Sequence, residues 1–151
     1  MKRIFAFCAL TLGLVACHKD KVESTPHLKF KSFNTSIVDY NGTLQATLDF
    51  TDQEGDLDSV CVTRQRTNQR GPTYLDFLYD YAPKFDNQNR GELTITFPNV
   101  GNDLDFNQNA ISIPGSPDKN EPDTLLLRFY VKDKAGHVSD TTAPHQVIVI
   151  R

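Results

Sequence analysis

Apolar and polar residues alternate along this chain with a period of two. Leu44, Ala46, Leu48 and Phe50 interleave with Gln45, Thr47, Asp49 and Thr51. Leu93, Ile95 and Phe97 interleave with Thr94 and Thr96, and Leu125, Leu127, Phe129 and Val131 stand opposite Arg128, Tyr130 and Lys132. Successive side chains of a strand point to opposite faces, so each stretch describes a strand with one buried face. Further strands are predicted over 28–38, 59–67, 74–81, 109–113 and 146–151. Turn chemistry separates them at Asn41-Gly42, Glu54-Gly55-Asp56, Gly71-Pro72, Arg90-Gly91, Pro114-Gly115-Ser116-Pro117 and Ala135-Gly136. The stretch 99–123, rich in Asn, Asp, Pro and Gly, reads as long surface connections around one strand. No segment carries a convincing helical stripe. The expectation is an all-β, antiparallel β-sandwich of seven to eight strands.

The first residues follow another logic. Lys2 and Arg3 precede an uncharged run from Ile4 to Ala16, and the chain turns polar at His18. A basic start followed by a short apolar run is the layout of a secretory signal, and the run is too short to span a bilayer. Leu14-Val15-Ala16-Cys17 resembles the lipobox of bacterial lipoproteins. That resemblance implies cleavage before Cys17, a diacylglyceryl group on its thiol, and acylation of its amine. Several acyl chains on one residue suffice for stable anchoring. The expected division is a signal at 1–16, a polar tether at 17–26 closed by Pro26, and one domain at 27–151. The expected location is the cell envelope, across the inner membrane and anchored by lipid to the outer membrane, either periplasmic or surface-exposed.

Lys2 and Arg3 are the only charges in 1–16, so the remaining chain holds 14 Lys and Arg against 19 Asp and Glu, a net charge of −5. Nucleic-acid binding calls for a basic face, and this balance argues against it. Cys8 leaves with the signal and Cys17 takes the lipid. Cys61 is then the one remaining cysteine, which excludes an intramolecular disulfide and a Cys/His metal site. Its setting, Ser59-Val60-Cys61-Val62-Thr63, reads as a partly covered strand residue without reactivity.

Asp49-Phe50-Thr51-Asp52-Gln53-Glu54-Gly55-Asp56-Leu57-Asp58-Ser59-Val60 resembles the B strand, BC turn and C strand of fibronectin-III-like and cadherin-like modules. The stretch from Arg128 to Asp140 resembles their F strand and FG turn. The resemblance implies an immunoglobulin-like, specifically fibronectin-III-like, sandwich of the kind that lipoproteins of the Bacteroidetes type join to a lipobox. The core tryptophan and paired cysteines of true immunoglobulin domains are absent.

Two groups of residues are candidates for binding. Asp52, Glu54, Asp56 and Asp58 lie within seven residues, and the BC and FG turns of such a sandwich share one end, so Asp133 and Asp140 stand near them. Calcium takes six to eight oxygens, several from carboxylates, and Asp52, Glu54, Asp56 and Asp133 form the candidate metal set. The plainer alternative is ordinary hairpin turns with solvated charges. The second group is Tyr74, Phe77, Tyr79 and Tyr81, whose rings suit a glycan or protein surface but equally suit core filling. No nucleophile elbow, His-Glu-x-x-His or phosphate loop occurs, so catalysis is not expected. The expected role is a non-catalytic binding or adhesion module, held to the membrane by its lipid and taking a glycan or an envelope protein as partner. The alternative is a structural spacer or accessory subunit of an envelope assembly.

Overall fold

The structure is a computed structural model that describes residues 24–68, 70, 75–81, 88–99 and 111–151, with only the strand and its pairing for 75–81. The expected signal, Cys17, most of the expected tether and Tyr74 lie outside the described residues, as do the side chains of Phe77, Tyr79 and Tyr81. The described residues form ten strands and no helix: β1 (His27–Phe33), β2 (Ile37–Val38), β3 (Thr43–Thr51), β4 (Leu57–Arg66), β5 (Leu75–Tyr81), β6 (Arg90–Pro98), β7 (Ser112–Ile113), β8 (Ser116–Asn120), β9 (Asp123–Asp133) and β10 (His145–Val149).

They make a three-stranded sheet in the order β1-β3-β6, a five-stranded sheet in the order β2-β10-β9-β4-β5, and a small hairpin of β7 and β8. Every pairing is antiparallel except that of β2 with β10. The inward faces of the two large sheets meet in one core. From β3 come Leu44, Ala46, Leu48 and Phe50, and from β9 Leu125, Leu127, Phe129 and Val131, all nearly or wholly without exposed surface. Phe129 lies at the centre, its ring 6.1 Å from that of Phe30 and 6.5 Å from that of Phe97. The period-two residues of both sequence stretches are thus the core, as burial of apolar area requires.

The described residues hold ten strands where seven to eight were expected, and three differences from the sequence expectation have local causes. The single strand expected over 28–38 is two, because the chain leaves β1 after Phe33 and crosses to pair β2 with β10 in the other sheet. The turn expected over Pro114 to Pro117 closes within two residues, with Gly115 at φ 80°, and Ser116 and Pro117 already belong to β8. Proline is tolerated there because, among the described residues, β8 pairs with the two-residue β7 alone. Finally, 52–56 is not a hairpin: β3 and β4 lie in different sheets, so this segment crosses from one to the other.

Pairing also fixes which loops share an end. His27 stands opposite Thr51, Thr51 opposite Arg90, and Leu57 opposite Asp133. The start of β1, the 52–56 crossing and the turn after β9 therefore lie at one end. Arg66 pairs with Leu125, Thr43 with Pro98 and Val149 with Asp123, so the departures from β4 and β6, the start of β9 and Arg151 lie at the other.

Candidate functional site

The inward stripe of β9 begins and ends on a carboxylate. Asp123 and Asp133 share the parity of Leu125, Leu127, Phe129 and Val131, and both are buried. The stripe of β3 likewise continues past Phe50 into Asp52, which has no exposed surface. The same parity in β4 runs from Val60 and Val62 into Arg64 and Arg66, again buried. A buried charge is costly unless it is paired, so each of these groups needs a partner.

At the end away from the start of β1 the charges answer one another. Asp123 accepts hydrogen bonds from Arg151 Nε (2.7 Å) and Nη2, and Arg66 Nη1 lies 3.5 Å from its second oxygen. Asn68 Nδ2 also reaches it at 3.3 Å and bonds Glu121 and the Pro122 carbonyl, while Asn68 Oδ1 accepts the Thr124 N–H. Beside this cluster Asn68, Arg70, Glu121, Pro122 and Thr124 line an open polar recess of about 370 Å³.

The end where β1 begins has the opposite balance. One carboxylate oxygen from each of Asp52, Asp56 and Asp133 lies within 4.8 Å of the others. Asp52 Oδ2 accepts the Asp56 N–H at 2.8 Å, a local turn closed by Gly55 at φ 66°. The Lys134 N–H donates to the Asp56 carbonyl and joins this crossing to the turn after β9. Asp133 accepts the His137 N–H at 2.8 Å on one oxygen, and His137 Nδ1 lies 2.7 Å from the other. Burial is the largest influence on the Asp133 carboxyl and pushes it up. The bonds from the His137 ring and backbone and from the Gly136 N–H together outweigh burial and hold the carboxyl below its usual range. Asp52 Oδ1 and Asp56 Oδ1 are buried and accept no hydrogen bond from the described residues. Two carboxylates at such separation repel by about 3 kcal/mol at an effective dielectric constant near 20. These charges are not the solvated ones of an ordinary turn.

Of the residues singled out in the sequence, the structure brings together Asp52, Asp56 and Asp133. Glu54 and Asp140 are exposed and stand outside the group. Phe77 pairs with Thr63, Tyr79 with Cys61 and Tyr81 with Ser59 on the β5 side of the five-stranded sheet. Cys61 is buried more fully than expected, and burial pushes its thiol above the usual range, the direction of an unreactive cysteine. Sequence reasoning missed the cluster of Arg66, Asp123 and Arg151, although the parity of β4 and β9 carried its signal.

No protein-family model matches the chain, and no curated protein does. Among solved structures it is similar to a β-glucosidase from Listeria innocua in complex with gluconolactone, at 13% identity and a TM-score of 0.42, over 85% of this chain and 16% of that one. The sporulation control protein Spo0M of Bacillus subtilis gives 8% identity and a TM-score of 0.45, over 84% of this chain and 50% of that one. The alkylpurine DNA glycosylase AlkC of Pseudomonas fluorescens, bound to DNA containing an abasic site analog, gives 5% and 0.47, over 85% and 31%. The chain spans half or less of the length of each, and likeness at this level carries no inference about function.

Proposed function

We propose that this chain is a membrane-tethered lipoprotein of the bacterial envelope, a non-catalytic binding module that presents the end opposite its tether to a glycan or an envelope protein. The observation that carries the reading is the polarity of the domain. β1 begins at His27 opposite Thr51, so a lipid on Cys17 holds the acidic end toward the membrane. A tether of ten residues reaches at most about 35 Å, which keeps that end close to the bilayer. On this reading the other end, which carries the recess lined by Asn68 and Arg70, faces away from the bilayer. The strand orders β1-β3-β6 and β2-β10-β9-β4-β5, with the chain crossing between sheets from β3 to β4, support a fibronectin-III-like build.

The test has two arms on the full chain expressed in a bacterial host. Labelled palmitate and membrane fractionation compare wild type with Cys17→Ala. The wild type should carry label and sediment with membranes, and the variant should do neither. Equal labelling and equal solubility would refute the anchor. Glycan arrays and capture from envelope extracts then compare wild type with Arg70→Glu. A partner held by the wild type and lost by the variant supports presentation of the outward end. Absence of any partner favours the spacer role.

A further inference from the structure

We propose that Asp52, Asp56 and Asp133 bind one divalent cation of the calcium class, which clamps the two sheets together at the tether end. The inference is independent of the binding reading above. Asp52 follows β3 of the three-stranded sheet, whereas Asp56 precedes β4 and Asp133 closes β9 of the five-stranded sheet. Three carboxylates from both sheets converge within 4.8 Å. The second, independent observation is Asp52 itself: it has no exposed surface, and its Oδ1 accepts no hydrogen bond from the described residues. Asp56 Oδ1 is in the same condition. The other end of the same strand shows how this protein treats a buried aspartate: Asp123 receives two arginines. At the tether end His137, half-exposed, bonds only Asp133 among the described residues, and the excess negative charge is left for a cation.

The donor chemistry selects the kind of ion. All three ligands are carboxylate oxygens, which suit hard cations, whereas structural zinc favours sulfur and imidazole. Oxygens on opposite sides of calcium, at 2.3–2.6 Å each, stand about 5 Å apart. Around magnesium, at 2.0–2.1 Å, they stand about 4 Å apart. The three oxygens lie within 4.8 Å of one another, which fits inside the coordination shell of one calcium ion. Calcium also tolerates the irregular geometry of donors drawn from two loops, where magnesium demands a near-ideal octahedron. His137 fixes the orientation of the Asp133 carboxylate, and the Asp56 N–H fixes that of Asp52 through Oδ2, leaving Oδ1 for the ion. With three protein carboxylates the affinity belongs to the range of extracellular modules, about 10⁻⁴ to 10⁻³ M.

Equilibrium dialysis of the full chain in detergent against radioactive calcium, after treatment with chelator, tests the proposal, with thermal melting of the same samples. One calcium per chain is expected, near saturation at about 10 mM, with a rise in melting temperature that magnesium does not match. Asp52→Asn and Asp133→Asn should each weaken binding roughly tenfold or more, and Glu54→Gln should bind like wild type. Asparagine at 52 keeps an oxygen for the Asp56 N–H, so in chelator Asp52→Asn should melt no lower than wild type. Asp56→Asn replaces it in the comparison if that variant fails to fold. Absence of stoichiometric binding to the wild type overturns the proposal, and so does binding that survives Asp52→Asn combined with Asp133→Asn.

Discussion

Replacing Asp123 by alanine removes the carboxylate shared by Arg66 and Arg151. The side chains of Asp123, Arg66 and Arg151 are 1%, 0% and 6% exposed, so water does not take the place of the lost partner. Breaking a buried ion pair from one side costs about 3–5 kcal/mol, because the remaining charge stays desolvated. An exposed pair would cost about 1 kcal/mol at most. For a domain of this size each kilocalorie lowers the melting temperature by roughly 3–5 °C, so a fall of about 10–20 °C is expected. Urea unfolding should show the same loss as a lower midpoint at unchanged slope. Asp123→Asn, which keeps an acceptor for Arg151 and Asn68 but not the charge, should fall between alanine and wild type. A loss below about 1 kcal/mol for Asp123→Ala would mean that solvent reaches the cluster and would refute the reasoning.

Three further outcomes follow from other parts of the fold. A Cβ on Gly91 would lie 2.9 Å from Phe50 Cε1 and 3.1 Å from its Cζ, so Gly91→Ala should cost about 1–3 kcal/mol in urea unfolding, and a neutral result would show that the Phe50 ring can step aside. His145 stacks on Phe30 with ring centroids 3.5 Å apart, and burial holds its pKa below 6.5; the unfolded chain then takes the proton first, so stability should fall as pH drops from about 7 through 6.5 to the folded value and level off below it. His145→Gln should flatten that part of the melting-temperature profile, and an unaltered slope would assign it to another group. Lys31 pairs with Glu92 and Asp49 on the exposed face of the three-stranded sheet, where solvent screens the attraction, so Lys31→Met should leave the melting temperature within error at both low and high salt.

The core was legible because its residues obey one periodicity without exception: each apolar position of β3 and β9 picked out in the sequence is buried. The acidic group was legible in part. Carboxylates close in sequence drew attention to Asp52, Glu54 and Asp56 alike, but parity decides between them. Asp52 continues the inward stripe of β3, while Glu54 falls in the crossing, where no strand alternation governs its direction. Parity also marks Arg64 and Arg66 as inward, against the usual rule that arginine lies outside. Proximity in sequence could not reveal the partner of Arg66, because Asp123 and Arg151 come from a strand start and a chain end that meet only through the register of β4, β9 and β10. The division of 28–38 into two strands was hidden for a related reason: both pieces are extended, and only pairing tells which sheet each joins.

Asp123 and Asp133 occupy the two ends of one strand, ten residues apart, which at about 3.3 Å per residue separates them by roughly 33 Å. That is about three Debye lengths at 0.1 M salt, so the charge states at the two ends do not sense each other through solvent. They also share no partner: Asp123 bonds Asn68 and Arg151 and faces Arg66, while Asp133 bonds His137 and lies beside Asp52 and Asp56. Perturbations at sites this far apart add to within about 0.5 kcal/mol. Calcium at one hundred times its dissociation constant should raise wild-type stability by about 2.7 kcal/mol if it binds only the folded chain. The same increment should appear in Asp123→Ala, on a baseline lowered by the broken ion pair. Urea unfolding of both proteins, each with chelator and with calcium, closes the cycle. An increment that shrinks by more than about 1 kcal/mol in Asp123→Ala would show that the two ends are coupled through the packed stripe of Leu125, Leu127, Phe129 and Val131, and that the end carrying Asp123 senses an ion bound at the end carrying Asp133.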